Sequence, residues 1–315
     1  MKRLTRYLAT LAVTLAPLAA FSQEIAIGEG LAVGWSQFYV ADHLKLWEKQ
    51  GLKATAVTFP SGRLVLDAVV GGRVLIGTAA ETPVVFATLN ELPVRILGTL
   101  NREEPFDLVA TQEIKSIQDL KGKKIGYSQG TNAHYYLSKL LDKAGLKFSD
   151  ITPVSLTPAD FVTSLVNGGL DGFIWTEPHL SQAIAQGKGR FHTIRTPGLY
   201  RTSASIITLQ STLDQKPELV VKALRALLEA DAASKKDPAT AIRIVSERTN
   251  FDHELARSYW PRLSPDLNLD KAAVVRELEA QAKWAVANKL VRPDARIPDF
   301  NTIVVTGPLE AARKP

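Results

Sequence analysis

Lys123-Lys124-Ile125-Gly126-Tyr127-Ser128-Gln129-Gly130-Thr131-Asn132-Ala133-His134-Tyr135-Tyr136-Leu137 is the stretch whose reading decides the fold. Residues 125–128 read as a short buried strand, Gly130 as a tight turn, and residues 131–144 as a helix. Tyr136, Leu137, Leu140, Leu141 and Ala144 recur at a spacing that puts them on one helical face. Gly145 supplies the stop, and Lys139 and Lys143 lie toward the end where the macrodipole favours cations. At the start Thr131 or Asn132 can cap, and the first backbone N–H groups lack intrahelical partners. Such a strand–turn–helix is either a receptor for an anion or a plain connection.

The alternation repeats outward in both directions. Strands are expected at 25–28, 53–59, 74–79 and 94–100. Between them lie a helix from Ser36, with Val40, Leu44 and Trp47 on its apolar side and Gly51 at its end, a second from Pro60-Ser61-Gly62 to Gly71-Gly72, and a third opened by Thr82-Pro83. A strand at 106–110 leaves this lobe. The pattern then restarts with strands 123–128, 151–156, 170–175 and 191–195 and helices 131–144, 158–167 and 178–186. A strand at 204–209 carries the chain back, followed by helices at 217–233, 238–248, 253–259 and 270–287. The proline-rich segment from Arg292 is expected to lie along the surface.

This alternation implies α/β architecture in two lobes, each a mostly parallel sheet with helices on both faces, joined by crossing strands. Residues 23–108 and 204–315 form the first lobe and 109–203 the second, with hinges near 108–111 and 204–208. A local pattern recurs between the lobes. Gly71-Gly72, an apolar strand and Glu81-Thr82-Pro83 are echoed by Gly168-Gly169, an apolar strand and Glu177-Pro178.

Residues 1–22 stand apart from the fold. Lys2, Arg3 and Arg6 precede an apolar run from Leu8 to Ala20 and a small-residue cleavage pattern, Ala20-Phe21-Ser22, as in a secretory signal peptide. Removing those three cations lowers the formal net charge from +6 to +3. That mild charge, without a basic stripe interleaved with aromatics, argues against nucleic acid. With no cysteine there is no disulfide, thiolate metal site or lipoprotein anchor. The histidines have no metal-ligand spacing, and no cofactor is expected. A freely diffusing monomer in the periplasm follows.

Ligands of open α/β sheets sit beyond the carboxyl ends of the strands. Here those ends carry Trp35 and Ser36, Glu81 and Thr82, residues 99–101, the 129–134 turn, and Trp175 and Glu177. With Phe38-Tyr39-Val40-Ala41-Asp42, Phe59-Pro60-Ser61-Gly62, Ile76-Gly77-Thr78-Ala79-Ala80-Glu81-Thr82-Pro83 and Gly130-Thr131-Asn132-Ala133-His134, the chain resembles the solute-binding proteins of ABC importers in the nitrate/sulfonate/taurine group, related to the pyrimidine-precursor binders. Leu75 stands where the family often has an acidic residue. Thr176 intervenes between Trp175 and Glu177, where the family tends to place Trp directly before an acidic residue and proline.

The resemblance implies that Gly130, Thr131, Asn132, Ala133 and His134 cradle an anionic head through backbone N–H groups. Thr131 adds a hydroxyl and Asn132 an amide. Each residue also has a plainer role: Thr131 as helix cap, His134 as packed ring, Trp35 and Trp175 as core rather than aromatic walls. Glu81 is favoured as a helix-start carboxylate, the alternative being the partner of an amine on a zwitterion, and Glu177 has the same reading. Further cleft candidates are Tyr39, Tyr127, Tyr135, Tyr200 and Arg201, with Tyr136 in the core. The implied function is capture of a small anionic or zwitterionic solute, preferably an organic sulfonate, for delivery to a membrane permease. The alternatives are nitrate, a pyrimidine precursor, an exported sensor, or an enzyme of menaquinone-pathway type on the same scaffold with His134 as acid or base.

Overall fold

The computed structural model describes residues 23–263 and 265–314, so the expected signal segment lies outside the described residues. The chain begins with β1 (Gln23–Gly30), α1 (Ser36–His43), α2 (Leu46–Lys49), β2 (Leu52–Phe59), α3 (Gly62–Val70), β3 (Ile76–Ala79), α4 (Glu81–Leu89) and β4 (Val94–Glu103). It crosses at 104–106 into β5 (Asp107–Thr111), β6 (Lys124–Tyr127), α5 (Asn132–Ala144), β7 (Thr152–Ser155), α6 (Pro158–Val166), β8 (Gly172–Trp175), α7 (His179–Gly187) and β9 (Phe191–Ile194). A second crossing at 195–201 leads back to β10 (Thr202–Leu209). Then come α8 (Gln210–Gln215), α9 (Pro217–Lys236), α10 (Pro238–Thr249), α11 (His253–Leu263), α12 (Lys271–Ala287) and α13 (Gly307–Arg313).

The two sheets have equivalent orders, β2-β1-β3-β10-β4 and β7-β6-β8-β5-β9. In each, the strand that has just crossed from the other lobe takes the fourth place and runs antiparallel to both neighbours. The other strands are mutually parallel. The sheets are therefore mixed, with one reversed strand apiece. The repeated glycine-pair motif falls on β3 and β8, which hold the third place in their sheets.

Burial follows the expected faces. Phe38, Tyr39 and Trp47 pack with the apolar side of α9 and α10 on one face of the first sheet. Val65, Val85, Leu278 and Phe300 cover the other. The second sheet has its own core, with Leu137, Leu140, Phe161 and Phe173.

Three expectations are corrected. The helix from Ser36 does not run unbroken to Gly51, because Lys45 adopts a left-handed φ of 54° between α1 and α2, leaving Leu44 40% exposed. The tail beyond Arg292 keeps to the surface only through residue 299 and then turns inward: Phe300 and Val304 are fully buried, and Val304 bridges to Ile96 in parallel at the sheet edge. The expected hinge stretches 108–111 and 204–208 lie within paired strands β5 and β10, whereas the chain passes between sheets at 104–106 and 195–201.

Candidate functional site

Helices α3, α4 and α5 begin at the carboxyl ends of their sheets and bring their N-termini to one cleft. A cavity of about 60 Å³ there is lined by Ser61, Gly62 and Arg63 from the start of α3, Ala80 and Pro83 at α4, and Thr131 and Asn132 at α5. Leu31, Trp35, Phe106 and Trp175 supply its apolar wall. A second cavity of about 60 Å³ continues it, sharing Ala32, Trp35, Ala80, Phe106 and Thr176, and adds Glu103, Glu177 and Tyr259.

The α5 turn is built for an acceptor. Gly130 holds φ 75°, a region that glycine enters without strain. Thr131 is the N-cap in extended conformation, but its hydroxyl donates to the Ser128 carbonyl at 2.7 Å rather than accepting from the helix. Among the described residues the backbone N–H groups of Asn132 and Ala133 find no acceptor in the chain. Those of Gly62 and Arg63 at α3 are likewise unpaired, while Ser61 caps that helix by accepting from Leu64 N. Four orphan donors and two positive dipole ends thus face the same cleft. Arg63 adds a formal cation, reaching over the turn to donate to the Gln129 carbonyl at 2.9 Å.

The candidate residues separate into two groups. Trp35, Thr131, Asn132 and Trp175 line the first cavity, and Glu177 the second. Trp35 reaches the wall because Gly30 and Gly62 leave room for its ring: a Cβ at Gly30 would stand 2.9 Å from its Nε1. Trp175 is 6% exposed and packs edge-on against Phe106, so it is both core and wall. Thr176 lines both cavities, so the departure from the family pattern falls on the cleft itself.

Others turn away from the cleft. Ser36 is fully buried and donates to Gln37 Oε1 at 3.1 Å. Thr82 is fully buried, its hydroxyl on Gln281 at 2.6 Å. Ala133 packs in the second core and offers only its N–H. His134 stands in a cage of Tyr127, Phe148 and Trp284, with ring centroids 5.0 to 5.3 Å away. Burial pushes its pKa down to about 4, and its Nδ1 accepts from Gly130 N.

Glu81 departs from both expected roles. It is fully buried, accepting from the Asn132 amide at 2.6 Å, Thr202 at 2.6 Å, Tyr200 at 3.2 Å and the Ser203 backbone N–H. It caps no helix and offers no free oxygen to a ligand. Instead it is one pole of a link across the cleft. Asn132 completes the link by accepting from Thr82 N at 3.0 Å, so the amide expected to serve the ligand joins the two sheets. Glu177 does act at a helix start, accepting from both Ser181 N and Oγ, at 3.0 and 2.7 Å.

Two charged residues of the cleft went unnamed in the sequence reading. Arg63 follows directly on the Pro60-Ser61-Gly62 turn, and that adjacency was the available signal. Glu103 ends β4, only 6% exposed, and burial pushes its pKa up to about 7. Nothing in a strand's alternation distinguishes such a residue from an exposed edge.

A family model described as NMT1/THI5 like matches residues 34–241. An aliphatic sulfonates-binding protein of Escherichia coli (strain K12) is 27% identical over 287 residues, covering 89% of this chain and 90% of the relative. The alkanesulfonate-binding protein SsuA from Xanthomonas axonopodis pv. citri, bound to MOPS, has a TM-score of 0.80 at 23% identity, covering 90% of this chain and 98% of that one. The desulfurization enzyme DSZB has a TM-score of 0.67 at 12% identity, over 92% of this chain and 98% of that one. The two-lobe scaffold is thus shared by solute binders and by an enzyme.

Proposed function

The chain belongs to the NMT1/THI5-like family, and from that premise we propose that it is the solute-binding component of an ABC importer, taking an organic sulfonate. The observation that carries this reading is the meeting of the α3 and α5 N-termini with Arg63 at one end of an aromatic-walled cavity. A sulfonate presents three acceptor oxygens to those donors and an organic tail to Trp35, Phe106 and Trp175. Each dipole end contributes ~0.3–1 kcal/mol toward an anion, and up to ~2 kcal/mol when partly buried. The relative of 27% identity bears a sulfonate-binder's name, which supports the same solute class.

In this reading the chain is an exported periplasmic monomer whose first 22 residues are removed. The two lobes, each built on one of the sheets, pivot on the crossings at 104–106 and 195–201. Solute held by donors from both lobes favours the closed state, which an inner-membrane permease receives. No chemistry is assigned. His134, the acid or base of the enzyme alternative, is caged by rings and does not line the aromatic cavity.

A thermal-shift panel on the purified protein, stripped of carried-over ligand by unfolding and refolding, tests the reading. Ligand at 100 times its dissociation constant adds about 2.7 kcal/mol. Short alkanesulfonates are expected to raise the melting temperature clearly. A shift with a neutral hydroxymethylpyrimidine and none with sulfonates would overturn the assignment.

A further inference from the structure

We propose that α12 is a clasp between the two lobes and that Trp284 is its positioning residue: seated on α5, the indole holds the α5 donors opposite those of α3 without lining the solute's cavity. The affinity arm of the test rests on the sulfonate reading, whereas the clasp itself does not.

Helix α12 belongs to the first lobe, whose core it joins through Val274, Leu278, Ala282 and Ala285. Residues 277, 281 and 284, spaced i, i+4 and i+7, share the adjoining face. On that face Gln281 is 1% exposed. It accepts from the Thr82 hydroxyl at 2.6 Å and donates to the Tyr200 hydroxyl at 3.2 Å, on the second crossing. One turn further, Trp284 reaches the other lobe. Its Nε1 donates to Ser138 Oγ at 2.8 Å, and its ring stands edge-on to Tyr135 and His134, with centroids 5.0 and 5.1 Å away. Phe86 of α4 backs it from the first lobe at 6.2 Å.

The three partners on α5 fall in its first two turns, directly behind the unpaired N–H groups of Asn132 and Ala133. His134 carries the contact into the turn itself, because its Nδ1 accepts from Gly130 N at 3.4 Å. Burial keeps that ring neutral above about pH 4, so the acceptor persists at neutral pH. Trp284 lines neither cavity of the cleft, and it is only half-buried, unlike a tryptophan enclosed by its own lobe. Edge-to-face ring pairs and a satisfied indole N–H attract most strongly when both are in place. Here the attraction joins helices of different lobes and is lost when the lobes part, so it weights the closed state. It is separate from the polar link between Asn132 and Glu81.

Distances between the lobes test the clasp. The chain has no cysteine, so spin labels on Ala239→Cys in α10 and Lys143→Cys in α5, both exposed positions, report one defined pair. In the ligand-free protein, Trp284→Ala should broaden the distance distribution toward values absent from the wild type. Trp284→Phe, which keeps a ring, should do so less. By titration calorimetry, ethanesulfonate affinity should fall ~5–30-fold in Trp284→Ala and less in Trp284→Phe, since apparent affinity scales with the closed fraction. A distribution unchanged in Trp284→Ala overturns the clasp, even where the melting temperature falls, because plain packing would lower stability alone. A wild type blind to ethanesulfonate sinks the sulfonate reading and leaves the distances to decide the clasp. Should Trp284→Ala not fold, Trp284→Phe combined with Ser138→Ala takes its place.

Discussion

Arg63 and Glu103 line the cleft with Glu177 as its charged residues, and the first two each make a prediction. Arg63 is exposed and tethered only to the Gln129 carbonyl, so Arg63→Ala should leave the fold intact. Alkanesulfonate affinity should fall ~5–30-fold by titration calorimetry, since a charged donor to an oxyanion is worth ~1–2 kcal/mol at a partly open site. Glu103 gives a pH dependence whose sign follows from its raised pKa. Between the ordinary value of 4.5 and about 7, the folded protein keeps a proton that the unfolded chain has released. Stability from this group therefore declines as pH rises through that window, by order of 3 kcal/mol in full. Glu103→Gln should melt higher than the wild type at pH 8 and about equally at pH 4; parallel melting curves at both pH values would refute the assignment. Glu103 was illegible in the sequence because charge alone does not tell which side chains a fold will turn into a cleft, whereas Arg63 was marked only by its place beside the Pro60-Ser61-Gly62 turn. Glu81 stood out by its place in a repeated motif, yet its neighbours Thr202 and Ser203 lie more than a hundred residues away and consume both its oxygens.

At the scale of elements, α3 supplies half of the donors proposed for the anion end, and its seat on the first sheet is made by glycines. A Cβ at Gly77 would stand 2.4 Å from Val65 Cγ1, and one at Gly28 2.8 Å from the same atom. Gly77→Ala should therefore cost ~1–3 kcal/mol in urea unfolding, as overpacking does. Val65→Ala in the same chain should recover part of that loss, and a double mutant no better than the single would contradict the account. The βα alternation was readable because glycine stops and proline or serine starts punctuate it, and α5 matches the expected 131–144 within a residue. The C-terminal segment keeps to the surface through residue 299, as expected, and then turns inward without a sequence signal. Its prolines signal irregular backbone, and irregular backbone does not exclude burial: Phe300 and Val304 are carried inward by tertiary contact, without periodicity. The reversed fourth strand of each sheet was likewise invisible, since strand direction is set by where the chain crosses.

For the whole molecule, the link between Asn132 and Glu81 ties the two sheets in the arrangement observed. Asn132→Ala would leave Glu81 and the Thr82 N–H short of a buried partner, at ~1–3 kcal/mol. The ligand-free variant should shift toward a more open form, read as a larger radius of gyration by small-angle scattering, and ligand should narrow the difference. An unchanged radius would mean that the link does not govern closure. The central claim, that the α3 and α5 N-termini receive an oxyanion, is tested most directly by a crystal structure with ethanesulfonate. The account predicts sulfonate oxygens within hydrogen-bond distance of the Asn132 and Ala133 N–H groups, with Arg63 beside them. Sulfonate bound instead among Arg195, Arg201 and Arg262, in the adjoining cavity that shares Glu103 and Phe106 with the cleft, would contradict it.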